Sequence, residues 1–505
     1  MGATVTAPVT APLHSMTFDL SIRDALVVDG SGQPPRITDV HIEGGRICLI
    51  GPGPSGRREI AARGRALAPG FVDVHAHDDA ALLSTPGLEF KLRQGVTSVV
   101  IGNCGFSLSP LLAGAAEPPG NASLFPGFPE RFLDLDASRA AFVAAGPAVN
   151  AISLVGHNAI RSHVMGNDER EPSEAEIASM RGHLRRALEQ GAAGFSTGLI
   201  YRPGRVATTA EIIEVARPLA EYQALFTTHM RSEGDRLLES VEETLRIADA
   251  VGCRAQISHH KAGGKRNWGK VKASLARIDS ANRAGADVSL DVYPYIAGSG
   301  PMIEYFDPLK IDLSLAEIIQ IASCPGRPAY DGRRLTEIAA SEGLGLAELV
   351  QRILELPGAE RTVAITFMMT EEDVETNLRH PRVMVGSDGL PNPEGRPHPR
   401  LYGTFPRVIS EYGRKRGLFT LEAAVAKMSS LPCERFGLRD RGRIAVGQFA
   451  DLLLFDPETI VDRATYAEPK QYPTGIDLVL VNGSIAVEGG RTTDVRAGRL
   501  LRFNK

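Results

Sequence analysis

Three observations predict an α/β fold: a (β/α)8 barrel, a small β-sandwich built from both chain ends, and a helical insertion after the seventh strand. First, eight short runs rich in Val, Ile, Ala or Phe lie at 70–77, 97–104, 150–157, 192–197, 225–229, 254–259, 287–293 and 382–388. Most are followed by apolar residues at helical spacing, as in 174–190, 209–222, 237–251 and 270–284. Second, both ends of the chain carry short β-rich runs broken by Gly-containing turns. Third, the interval between the seventh and eighth runs is too long for an ordinary crossover.

Residues 1–15 are rich in Thr, Pro and Ala, with neither a basic region nor an apolar core. They read as a loose arm and not as a secretion signal. Residues 16–68 hold β-rich runs at 19–29 and 40–50, punctuated by Asp29-Gly30-Ser31-Gly32 and Glu43-Gly44-Gly45. Residues 436–505 repeat that texture at 451–455 and 478–487, with Asn482-Gly483 as a hairpin turn. Neither end has strands enough to bury a sheet face alone, so their pairing in one unit is the economical solution. The barrel then occupies 69–435. Its insertion, about 300–361, contains helical patterns at 313–322 and 346–354. It should overhang the barrel mouth, where it can serve as a lid.

Composition narrows the function. With 505 residues, 43% hydrophobic and 23% charged, the chain has ample material for a core, which excludes wholesale disorder. Lys and Arg total 56 against 60 Asp and Glu, a net charge of -4, which argues against a nucleic-acid or anionic-membrane partner. No apolar run approaches the roughly 18 residues of a membrane span. The five cysteines (Cys48, Cys104, Cys253, Cys324 and Cys433) are scattered without a CxxC pair, as expected of reduced thiols in a cytoplasmic protein. Composition carries no signal of oligomeric state.

Polar residues gather where the predicted strands finish. The first run ends in His75-Ala76-His77, the second in Asn103-Cys104-Gly105 and the fifth in His229. The sixth ends in His259-His260-Lys261 and the eighth in Ser387-Asp388-Gly389. Barrel enzymes work at the carboxyl ends of their strands, so residues distant in sequence converge there. Side chains alternate along a strand, which puts both imidazoles of His-x-His on one side. A lone His-x-His is usually a surface or core feature, a lone buried Cys a small hydrophobe, and a lone Ser-Asp-Gly a turn. Their joint occurrence at five strand ends is instead the donor set of a first-row metal, with zinc the plainest candidate.

Gly70-Phe71-Val72-Asp73-Val74-His75-Ala76-His77 and Gly386-Ser387-Asp388 resemble the amidohydrolase superfamily. More narrowly, Gly102-Asn103-Cys104-Gly105, Thr228-His229-Met230-Arg231, Ser258-His259-His260-Lys261 and Asp291-Val292-Tyr293-Pro294-Tyr295 resemble the N-acyl-D-amino-acid deacylases, or D-aminoacylases. The similarity runs from about Asp19 to the end. In that family a cysteine, matched here by Cys104, replaces the carboxylated lysine of relatives such as hydantoinases.

The resemblance implies zinc-dependent hydrolysis of small N-acyl-D-amino acids. It implies one tight zinc site, Cys104, His229 and His259, and a second, weaker position, empty or partly filled, made by His75 and His77 with Cys104 and Asp388. Asp388 is then the general base and acid, and Tyr293 the second donor to the oxyanion. Lys261, Arg400 and Tyr201 match the positions that hold the substrate α-carboxylate, and Ser299 adds a hydrogen bond. Arg202, a departure from the pattern, could read an acidic substrate side chain. His260 points away from the metal, and His157 supports the site from behind. Preference for the D enantiomer, with the side chain left open, comes from the family match alone. Two rivals remain: another amide hydrolase of the superfamily (hydantoinase-, dihydroorotase- or dipeptidase-like) and a non-catalytic barrel relative. Cys104, Lys261 and Arg400 speak against the first, and retention of every ligand and of Asp388 against the second.

Overall fold

The computed structural model describes residues 18–111, 116–306, 311–392 and 394–503. The arm expected at 1–15 lies outside them. Eight parallel strands follow one another in both sequence and space: Phe71–Asp73, Val96–Ile101, Asn150–Gly156, Gly194–Gly198, Leu225–His229, Arg254–Ile257, Val288–Val292 and Val383–Val385. A parallel bridge between Ala76 and Gly389 links the two outer strands, so the sheet is nearly closed into a barrel. Most of these strands are buried along their whole length, as they must be between a packed barrel interior and a helical coat.

The coat forms where the sequence supplies both a periodic apolar face and chemical stops. In the helix Leu237–Val251, the residues Leu237, Val241, Leu245, Ala248 and Val251 recur three or four positions apart and are all buried. Gly252, at φ 71°, ends it in a left-handed conformation that side chains resist. The helix Glu174–Glu189 begins with a reciprocal cap between Ser173 and Glu176. Losing such a cap costs about 1 kcal/mol, less than the ~1.5–3 kcal/mol gained by burying one large aliphatic side chain. Packing therefore dominates.

The two chain ends make one mixed nine-stranded sheet and not two separately bonded layers. Ala66–Pro69 pairs antiparallel with Leu452–Phe455 and parallel with Leu20–Val27, so hydrogen bonds run unbroken from one terminus to the other. The sheet encloses a core of its own that includes Leu20, Ile22, Val40, Ile42, Leu452, Leu454 and Leu480. Alternate residues such as Leu453, Phe455 and Val479 join the barrel's core instead.

After the seventh strand the insertion contributes, besides its helices Leu335–Glu342 and Leu346–Leu354, a three-stranded antiparallel sheet. In that sheet Val363–Thr366 lies between Gly298–Pro301 and Ile319–Ser323. Two of these strands are only four residues long, too short for periodicity to separate them from loop, and the third takes residues expected to be helical, since of 313–322 only Leu313–Ala316 forms a helix. A separate apolar cluster that includes Met302, Ile319, Ile321, Leu349 and Ile353 lets the insertion hold its own shape.

Candidate metal centre

The five strand-end motifs meet. Cys104 Sγ lies 3.2 Å from His75 Nε2, 3.5 Å from His259 Nε2 and 3.8 Å from His229 Nδ1. Asp388 Oδ1 lies 3.3 Å from His77 Nε2 and 3.6 Å from His75 Nε2. A tetrahedral zinc with Zn–S of about 2.3 Å and Zn–N of about 2.0–2.1 Å sets sulfur and nitrogen about 3.6 Å apart. The separations of Cys104 from His229 and His259 fit that requirement. Soft thiolate with imidazole is also the donor chemistry that selects zinc. His75, Cys104 and His259 together, and His75, His77 and Asp388 together, place one ligand atom each within 4.8 Å of one another, so the donor set suits such an ion.

Local backbone geometry serves this convergence. Cys104, His259 and Asp388 have φ of 54°, 34° and 49°, in the left-handed region that non-glycine residues avoid. Three such residues in one cage, each costing on the order of 1–3 kcal/mol, mark a site where the surrounding fold imposes conformation. Two glycines admit the crowding. A Cβ on Gly102 would sit 2.2 Å from the Leu154 carbonyl oxygen, and one on Gly198 would sit 2.1 Å from that of Cys104.

A buried polar frame supports the cage. Lys91 Nζ donates to Asp73 at 2.6 Å and to Ser387 Oγ at 2.9 Å. The Ser387 amide donates to Asp73 at 2.8 Å, and the Asp388 amide to the His75 carbonyl at 2.7 Å. The first and eighth strand ends are thereby tied together at Asp388. Asp291 accepts from the His259 amide at 2.8 Å and lies 3.4 Å from His75 Nδ1. Alternation along the seventh strand puts Asp291 on the same face as Tyr293, a signal that the sequence contained. Glu233, four residues beyond His229, lies 2.8 Å from His259 Nδ1. Its position in a loop gave sequence reasoning no handle.

Electrostatics follow from burial and neighbours. Burial pushes the Cys104 thiol up, but His75 and His259 outweigh it and hold the thiol well below its ordinary value. Burial likewise opposes ionisation of Asp388, yet Arg400 and the flanking imidazoles keep its carboxyl well below the usual carboxylate range. Burial drives the Tyr293 hydroxyl well upward, so it stays a neutral donor.

Around the cage, Arg400 Nη1 lies 3.0 Å from Asp388 Oδ2, and Arg400 Nη2 donates to the Ser299 carbonyl at 3.0 Å. The Arg400 guanidinium sits over the Tyr293 ring, 4.5 Å from its centre. Lys261 Nζ is 2.5 Å from Glu233 and 5.7 Å from the Tyr293 ring centre. The Tyr201 ring meets His229 edge-on at 4.9 Å. His260 turns into the helical coat, between Asn377 at 2.7 Å and Ser274 at 2.8 Å, and burial pushes it down to about 4. His157 is engaged by Glu211 at 3.0 Å. Arg202 lies 3.6 Å from the buried side chain of Glu304, whose carboxyl burial pushes up.

A nearly closed parallel barrel with a Cys, His and Asp donor set at the carboxyl ends of its strands defines a metal-dependent barrel hydrolase. The sequence profile of the amidohydrolase family matches residues 58–487. The chain belongs to that family, and within it to the D-aminoacylase group. It is a hydrolase acting on amides. The N-acyl-D-glutamate deacylase of Alcaligenes xylosoxydans xylosoxydans is 44% identical over 491 residues, 96% of each chain. The D-aminoacylase of the same organism is 43% identical over 495 residues, 96% of this chain and 98% of that one. The structure of N-acyl-D-glutamate deacylase from Bordetella bronchiseptica, with zinc and a phosphonate mimic of the tetrahedral intermediate, superposes with a TM-score of 0.90 at 40% identity. That match covers 96% of this chain and 100% of the other. Among the described residues no helix is long and apolar enough to cross a membrane.

Proposed function

We propose that the protein hydrolyses the amide bond of N-acyl-D-amino acids, releasing a carboxylate and a free D-amino acid. The observation that carries this reading is Cys104 Sγ within 3.8 Å of one ring nitrogen each of His75, His229 and His259. Cys104, His229 and His259 hold the tight zinc. His75, His77, Cys104 and Asp388 form a second, weaker position. Zinc bound in such a site polarises the scissile carbonyl and lowers the pKa of water to about 7.

The chain's own groups do the rest. Asp388, kept ionised by Arg400, takes the proton of the attacking water and returns one to the leaving amine nitrogen. Neutral Tyr293 donates to the oxygen on which charge develops. Arg400, Lys261, Tyr201 and Ser299 receive the α-carboxylate of the substrate. Both cations already face a carboxylate, Arg400 on Asp388 and Lys261 on Glu233, so an incoming anion shares them and does not meet bare charge. The five cysteines are all free thiols, which supports a reducing compartment such as the cytoplasm.

The test compares zinc-loaded and chelator-stripped protein on matched acetyl-D and acetyl-L amino acids, with hydantoins alongside. Zinc-dependent turnover confined to the D series is expected. Equal hydrolysis of both enantiomers, or turnover of hydantoins alone, would refute the assignment.

A further inference from the structure

The proposed cage has an outer carboxylate with a task of its own. Glu233 Oε1 lies 2.8 Å from His259 Nδ1, within hydrogen-bond reach, whereas Oε2 lies 3.6 Å from His229 Nε2, a nitrogen with no hydrogen-bond partner among the described residues. These are the nitrogens turned away from the sulfur, because Cys104 meets His259 through Nε2 and His229 through Nδ1. The two rings thus present opposite nitrogens to the cage, and the carboxylate is hydrogen-bonded to the outer nitrogen of His259. A neutral imidazole carries one N–H, and only its bare nitrogen can bind a metal. An acceptor on the outer nitrogen draws the proton there and bares the inner one.

Lys261 makes this selection necessary. Its Nζ lies 2.8 Å from His259 Nδ1 and 2.5 Å from Glu233 Oε1. If the ammonium donated to Nδ1, the ring proton would move to Nε2 and block the position facing Cys104. Glu233 resolves that conflict by accepting from both groups. The same ammonium argues against Glu233 as a ligand, although its oxygens group closely with His229 and His259. A metal ion bound to Oε1 would face a positive charge already seated on that atom.

We propose that Glu233 is a positioning residue that sets the tautomer of His259, leaving its Nε2 bare toward Cys104, with Lys261 as its counterion. This rests on the zinc cage proposed above. Loss of such an outer partner typically weakens metal binding about 10–100-fold.

The test measures zinc affinity by chelator competition on the full-length wild type, Glu233→Gln and Glu233→Asp, together with absorption spectra of the cobalt-substituted proteins. Glu233→Gln should bind zinc roughly 10–100-fold more weakly, and Glu233→Asp, still anionic but shorter, should recover part of that loss. The thiolate-to-cobalt band and the visible cobalt bands should keep their positions once the variants are saturated. Affinity of Glu233→Gln within twofold of wild type, or cobalt bands displaced as by loss of a ligand, would overturn the inference. A wild type that binds no zinc would instead overturn the function proposed above, so the two failures are distinguishable.

Discussion

Arg400 Nη1 lies 3.0 Å from Asp388 Oδ2, and the Arg400 side chain has no exposure to solvent. A guanidinium that cannot lose its proton is thereby fixed against the proposed base, which keeps that base anionic despite its burial. Asp388→Asn preserves shape and removes the charge. Turnover should fall by at least about 100-fold, the lower range for loss of a general base. The tight zinc, which Asp388 does not hold, should stay near stoichiometric. Steady-state kinetics beside metal analysis checks both, and retained activity in the variant would remove Asp388 from the chemistry.

Cys104 belongs to both proposed metal positions. Cys104→Ala should therefore lose zinc more completely than any single histidine substitution. The drop in affinity should exceed the roughly 10–100-fold typical of an outer partner. Metal content after dialysis against a weak chelator is the measurement. One full equivalent of zinc retained by the variant would show that the thiolate is not a ligand.

Tyr293 is buried beneath Arg400, with its hydroxyl 3.2 Å from where a Cβ on Gly298 would stand. Tyr293→Phe deletes only that hydroxyl. If it meets the developing oxyanion, kcat should drop on the order of 10²–10³-fold, about 2.7–4 kcal/mol, with KM changed far less. A rise in KM at constant kcat would assign the hydroxyl to substrate binding instead.

The barrel and the five strand-end motifs were legible because periodicity and strand-end placement are local properties of the sequence. His75, Cys104, His229, His259 and Asp388 could be brought together by topology alone. The sheet of the chain ends was legible as a pairing, but not as one continuous nine-stranded array, because register between distant strands is a tertiary property. The same limit hid the partners of known residues. Lys261 and Arg400 were recognisable as cations near the mouth, yet their leaning on Glu233 and Asp388 depends on loop placement. Lys91 sits in the four-residue helix Glu89–Leu92, and only folding seats its ammonium between Asp73 and Ser387. His157 closes a strand as the ligands do, but it opens the helix His157–Met165 and faces Glu211 in the coat.

That last pairing gives the protein a defined acid sensitivity. Glu211 Oε1 accepts from His157 Nε2 and Arg161 Nε, each at 3.0 Å, and is almost wholly buried. Burial alone would push the Glu211 carboxyl up, but His157 and Arg161 outweigh it and lower it from its ordinary 4.5. The unfolded chain therefore binds the proton more readily than the folded one between those two values. Its contribution to stability is full above about pH 4.5 and is lost as pH falls through the folded value. Glu211→Gln should cost about 3–5 kcal/mol near neutral pH, as expected when one partner of a buried ionic cluster is removed. The deficit relative to wild type should shrink as the solution is acidified below the ordinary carboxylate value. Urea unfolding of both proteins with chelator present, so that zinc release is common to the two, measures this difference. A deficit that stays constant across that acid range would mean that the Glu211 charge does not stabilise the fold.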